Sequence, residues 1–151
     1  MRKFFLPLAS APRPALWLGF GGLLPFVGLT ILTVVWPDTW YAFWLTTLLQ
    51  YGAVILTFVG ALQWGYAVGL ARSGDNATAR FLWSVMPALV AWLSFQFPVW
   101  TALQLEAAAL TLCYCVDRNF AAADDKPSWL LPLRLILTAV ASACLLIASV
   151  A

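Results

Sequence analysis

The sequence predicts an all-α integral membrane bundle of five transmembrane helices, N-terminus inside and C-terminus outside. Three observations predict it. Apolar residues make up 64% of the chain and charged residues 9%, with a mean hydropathy of +0.90, whereas a water-soluble domain needs far more charged surface. A chain of 151 residues holds about five crossings of ~20 residues joined by short loops. Finally, the eight Lys and Arg residues are segregated. Arg2, Lys3 and Arg13 precede the first apolar stretch, Arg72 and Arg80 bracket the second gap, and Arg118, Lys126 and Arg134 bracket the fourth. The first and third gaps and the C-terminal tail carry none. Cytoplasmic loops retain Lys and Arg, so this alternation implies an odd number of spans with the N-terminus inside.

The N-terminus reads poorly as a signal peptide. Its apolar run from Phe4 to Ala11 is short and interrupted by Pro7, and the longer stretch from Ala15 to Trp36 ends without a small-residue exit site. Only about a dozen residues precede that stretch, too few for a typical transit peptide, so a retained first helix is expected. Span 1 is placed over residues 14–36. Gly19, Gly21, Gly22, Pro25 and Gly28 make it pliable and let its backbone approach a neighbour. The turn Trp36-Pro37-Asp38-Thr39-Trp40 follows, with Asp38 or Thr39 available to cap the next helix and Trp36, Trp40, Tyr41 and Trp44 clustered as an interfacial belt.

Span 2 covers residues 42–70. Trp40 to Leu70 as a helix is ~46 Å long, more than a ~30 Å hydrocarbon core, so it must tilt, bend or start in the interface. Ala53, Thr57, Ala61, Gly65 and Gly69 recur every four residues beside Gly52 and Gly60, a small-xxx-small ladder that nominates span 2 as the central packing helix. Gly74 can end it, and Asp75 or Asn76 can cap span 3. Span 3, residues 80–97, contains Pro87. Span 4, residues 99–116, follows the turn at Pro98 and Trp100. Both are short, so a re-entrant hairpin is the alternative to two full crossings; Trp100 at its tip, as an interface anchor, favours crossing. Asp117 to Trp129 is the longest loop, with Asp117, Arg118, Asp124, Asp125 and Lys126. Ser128 can cap span 5, residues 129–150, where Pro132 in the first turn costs little.

The residue inventory excludes much chemistry. The chain has no His, which removes His-ligated haem, His-bearing metal motifs and Ser-His or Cys-His catalysis. No P-loop, dinucleotide fingerprint or HExxH is present, and no basic run with interleaved aromatics suggests nucleic acid. Cys113, Cys115 and Cys144 lie in apolar stretches at spacings that match neither a CxxC pair nor a zinc knuckle, and read as small packing residues. No catalytic residue, metal or cofactor is expected.

Glu106, near the middle of span 4, is the sharpest polar feature. An ionised carboxylate there costs ~3 kcal/mol on insertion scales. It reads either as a proton-linked or ligand-binding acid, or as a protonated acid hydrogen-bonded between helices, the second being favoured. Gln104 is close in sequence but faces elsewhere. Gln50, Gln63 and Gln96 also lie within spans, where inter-helix hydrogen bonding is the expected role. Trp92 sits far from either aromatic belt. Glu106, Gln63, Gln50 and Trp92 are the candidate mid-membrane polar site. At the inner face Arg80, Asp117, Arg118 and Arg134 form a candidate charge cluster that locks helix ends together, with a phosphate or lipid headgroup as the alternative use of Arg134.

Gly22-Leu23-Leu24-Pro25-Phe26, Tyr51-Gly52-Ala53, Gly60 with Trp64-Gly65, Ser84-Val85-Met86-Pro87 with Ala91-Trp92, Asp117-Arg118, and Leu133-Arg134 with Thr138 together carry a resemblance. In their order and spacing the chain resembles a family of small multi-span bacterial inner-membrane proteins defined as a domain of unknown function, with a mitochondrial transmembrane relative in animals. The resemblance implies a multi-pass protein of the bacterial inner membrane and supplies no activity. The expected function is non-enzymatic: an assembly factor or accessory subunit acting through helix packing, in contact with the lipid bilayer and with another membrane protein or a second copy of itself. The rival is a small transporter or lipophile-binding protein built around Glu106. A sealed Glu106 favours the first reading, and a Glu106 lining a ligand-sized cavity favours the second.

Overall fold

A computed structural model of the chain describes residues 6–36, 40–72, 77–121 and 128–151. Every regular element among them is helical. A 3₁₀ turn, Leu6–Ser10, leads into α1 (Arg13–Gly21) and α2 (Leu23–Val35). They are followed by α3 (Tyr41–Arg72), α4 (Thr78–Ser94), α5 (Val99–Ala121) and α6 (Leu130–Val150). Asp38, Thr39, Gly74, Asp75, Asn76, Asp124, Asp125 and Lys126 lie outside the described residues, as do Arg2 and Lys3.

Span 1 is two helices rather than one. Pro25 has no N–H for the Gly21 carbonyl and its ring crowds that group, while three glycines in four positions lower the local helical preference. The chain steps at Gly22, whose carbonyl accepts a hydrogen bond from the Tyr51 hydroxyl of α3 at 2.8 Å. Phe26 packs edge-on against the same Tyr51 ring, with centroids 5.0 Å apart.

The helices close into a ring. α2 lies against α3, α3 against α4, α4 against α5, α5 against α6, and α6 returns to α2. α3 also reaches α5 and α6 across the middle. It therefore touches α2, α4, α5 and α6, the central position expected of span 2. Phe26, Leu48, Leu56, Leu103 and Leu145 are the large apolar side chains sealed inside. Outward-facing surfaces are equally apolar: Trp17, Leu18, Leu24, Val54, Phe58, Leu82 and Val150 are all exposed. Exposed apolar surface on this scale suits lipid rather than water.

Several boundaries differ from expectation. α5 runs 23 residues to Ala121, not to Val116, because Asp117 is not a loop residue but is paired within the bundle. α4 ends at Ser94 rather than Phe97 and continues through Pro87. Ser128 does not cap α6; Trp129 holds that position without a side-chain hydrogen bond. Among the described residues four stretches, Arg13–Val35, Tyr41–Ala71, Val99–Ala121 and Leu130–Val150, are long and apolar enough to cross a membrane. α4, with 17 residues, is about 26 Å long.

Candidate functional site

Two groups of buried polar side chains join three or more helices, at different depths of the bundle. Toward one end, one residue from each of four helices joins a single network. Asp117 of α5 is the hub: one carboxylate oxygen accepts from the Gln63 amide of α3 and the other from the Arg134 guanidinium of α6. The Gln63 carbonyl oxygen in turn accepts from Arg80 Nη1 of α4 at 3.0 Å. Arg80 Nη2 donates to the Phe120 carbonyl at 3.3 Å, and its guanidinium carbon lies 4.2 Å from the Phe120 ring centroid. Gln63 is 2% exposed, Arg80 5% and Arg134 8%.

The chemistry explains the residue types. Gln63 stands between a cation and an anion, and its amide offers an acceptor to one and donors to the other. Arg supplies a fork of donors that satisfies several acceptors from one position. Arg80, Asp117 and Arg134 of the expected inner-face cluster are thus brought together, with Gln63 added. Arg118 is exposed and faces away. Phe120 carried no sequence signal, because its contribution is a ring face and a backbone carbonyl.

Glu106 is 0% exposed. Its Oε1 lies 3.0 Å from Ser94 Oγ of α4, and Ser94 Oγ also donates to the Ala91 carbonyl at 2.7 Å. A hydroxyl has one proton, so with that proton on Ala91 the Ser94 oxygen can accept from a protonated Glu106. Glu106 Oε2 has no hydrogen-bond partner among the described residues. It occupies a notch in α3 at Gly52: a Cβ built there would overlap Oε2 and lie 3.4 Å from Leu145 Cδ2. The site is a closed three-helix joint of Gly52, Ser94 and Glu106. Ser94 was not anticipated, since a serine at the end of an apolar helix gives no sign of its partner.

The other members of the candidate mid-membrane site are elsewhere. Gln63 belongs to the Asp117 network. Gln50 and Trp92 are exposed and line a shallow open groove between α3 and α4, with Ala53, Thr57 and Phe95. Gln96 is exposed in the turn after α4. Gln104 donates to Ser149 Oγ of α6 at 3.3 Å, on a different face from Glu106.

The glycine-rich ladder of α3 divides. Gly52, Ala53 and Gly60 are buried, and a Cβ at Gly60 would stand 2.8 Å from the Ser84 carbonyl oxygen and 3.0 Å from Pro87 Cγ. Thr57, Ala61, Gly65 and Gly69 are exposed, and a Cβ at Gly65 meets nothing within 4 Å. Within the chain the packing face therefore runs through Gly52, Leu56, Gly60, Gln63 and Ala67, rather than along the four-residue ladder. That run mixes steps of four with one of three and so keeps to the helix period, from which a strict repeat of four drifts away.

Further hydrogen bonds tie helices pairwise. Thr30 Oγ1 donates to the Cys144 carbonyl at 3.3 Å, and Ser142 Oγ to the Ala107 carbonyl at 3.3 Å. Cys113 and Cys144 are buried free thiols, and Cys115 is exposed. Among the described residues no group of three or more His, Cys, Asp or Glu side chains is placed to hold a metal ion.

Comparison with known proteins follows the same lines. The chain is 35% identical over 143 residues to Transmembrane protein 69 of Xenopus tropicalis, covering 89% of this chain and 53% of that protein. It is 25% identical over 134 residues to Transmembrane protein 69 of Mus musculus, covering 89% of this chain and 54% of that protein. The chain thus spans about half the length of the curated relatives it matches. No solved structure matches. A family described as "Protein of unknown function (DUF3429)" matches residues 11–150, nearly the whole sequence, and the chain belongs to that family.

Proposed function

We propose that this is a non-enzymatic, five-span protein of the bacterial inner membrane, N-terminus inside and C-terminus outside, serving as an assembly factor or accessory subunit through helix packing. The observation that carries the reading is the divided face of α3. Its buried side holds the bundle together, while Thr57, Ala61, Gly65 and Gly69 leave a second close-approach stripe facing outward. Such a stripe lets another membrane helix, from a different protein or a second copy, approach at backbone distance. The polar side chains support the same reading, because Gln63, Arg80, Glu106, Asp117 and Arg134 are engaged with other helices of the chain. Helical spans suit an inner membrane, whereas bacterial outer-membrane proteins are typically barrels.

A photo-crosslinking residue at Ala61 in native membranes tests this. It should give a discrete protein adduct that Gly65→Leu removes, while Gly65→Leu leaves the melting of the purified protein unchanged. An absent adduct, or one indifferent to Gly65→Leu, rejects the packing role. The second reading, a transporter or lipophile-binding protein working through Glu106, is favoured by the unpartnered Oε2. It requires that Glu106→Gln abolish activity with the fold intact, since an amide cannot cycle a proton. The sealed position of Glu106 supports the structural role instead.

A further inference from the structure

A cavity of about 350 Å³ opens between α1, α2, α3 and α6, with Leu110 of α5 at its wall, and Glu106 is not part of its lining. Its walls are apolar almost throughout; on α6, Arg134 stands at one end of the wall and Thr138 one turn further along it. On α6 it extends from Leu133 to Ala141, about 12 Å of helix rise. Leu18 and Phe58, both exposed on the outer surface of the bundle, form its rim. A lateral opening toward hydrocarbon admits a lipid chain directly from the bilayer. Its volume falls within the range of small-ligand sites.

Arg134 gives the cavity a polar end of one sign. Its Nη2 is held by Asp117, which fixes the guanidinium. The other N–H groups of the fork have no acceptor among the described residues, and the residue lies in the cavity wall. An arginine anchored on one edge and open on the other suits a phosphate or carboxylate oxygen. Basic pockets between helices on the cytoplasmic side of a membrane recognise anionic lipid headgroups.

We propose that this cavity binds one acyl chain of an anionic phospholipid, with the lipid phosphate against Arg134. The leaflet is the cytoplasmic one under the orientation proposed above, but binding in micelles does not depend on orientation, so the two fail separately.

The test uses the full chain in a non-ionic detergent, titrated with dioleoyl phosphatidylglycerol or dioleoyl phosphatidylcholine and followed by native mass spectrometry. A single phosphatidylglycerol adduct is expected, at least roughly tenfold tighter than that of phosphatidylcholine. Thr138→Phe fills the cavity and should weaken the adduct by a similar factor, while the lipid-free protein melts as wild type. Arg134→Gln should abolish the headgroup preference. Equal affinity for the two lipids, or a Thr138→Phe protein that binds like wild type, overturns the proposal. Thr138 has no hydrogen bond to the Asp117 network among the described residues, so its variant remains decisive even if Arg134→Gln does not fold.

Discussion

At Gly52 one absent methyl group makes room for a carboxyl. The Oε2 of Glu106 fills the space a Cβ would take, and Leu145 closes the notch from the other side. Gly52→Ala should therefore destabilise the bundle by about 1 to 3 kcal/mol, since the crowded atom is the end of a buried side chain with little room to withdraw. The same change combined with Glu106→Ala should cost markedly less than the sum of the two single changes, because the clash then has no partner. Denaturant or thermal unfolding in detergent micelles gives both quantities, and strict additivity would break the assignment of Oε2 to the Gly52 notch. Glu106→Gln keeps the shape and a donor for Ser94 Oγ, so its stability should stay close to wild type. Glu106→Leu removes that donor and should be the worse of the pair, by about 1 kcal/mol.

At the scale of the element, two glycines five residues apart on α3 should respond in opposite ways. A methyl at Gly60 stands 2.8 Å from the backbone oxygen of Ser84, which cannot move without shifting α4. Gly60→Ala should thus lower the melting temperature clearly, whereas Gly65→Ala, with open space around its Cβ, should be neutral or slightly stabilising through helix preference. Comparable losses at both positions would mean that α3 is rotated from the orientation described. The contrast shows what the sequence could and could not reveal. That α3 is a long packing helix is legible from its apolar length and its small residues. Which small residues pack is not, because several faces of the helix carry them and the choice depends on where Pro87 and Ser84 of another helix come to lie. Glu106 was legible as an intramembrane acid from one residue in an apolar run, but Ser94 and Gly52, its surroundings, are set by tertiary contacts alone. Gln63 shows the same limit: its depth placed it in the inner half, and only the fold reveals that Asp117 and Arg80 stand on either side of it.

For the molecule as a whole, the Asp117 network and the membrane topology are linked. Asp117 joins α3 and α6 directly and α4 through Gln63. Asp117→Ala should cost of order 3 kcal/mol, because it strands the largely buried Arg134 beside an unpaired amide. Adding Arg134→Leu should recover part of that loss, and no recovery would show that the pair does not act as a unit. The same network bears on the number of crossings. Arg80, in the first turn of α4, bonds the Phe120 carbonyl in the last turn of α5. Only residues 95–98 separate the other ends of these two helices. α4 and α5 therefore run side by side over a similar depth, and α5 is long and apolar enough to cross. This supports α4 as a fifth crossing despite its 17 residues, with the turn residues supplying the remaining thickness. The segregated Lys and Arg residues support the same count, since five crossings leave the gaps after α3 and α5 on the N-terminal side. A reporter active only in the periplasm, fused at Ala151, should give signal, and the same reporter inserted after Asp125 should give none. With four crossings, α4 lying aside, α5 would carry the Asp125 reporter out and α6 would return Ala151 to the inside. Both readings would then invert, so the pair of fusions decides between the two topologies.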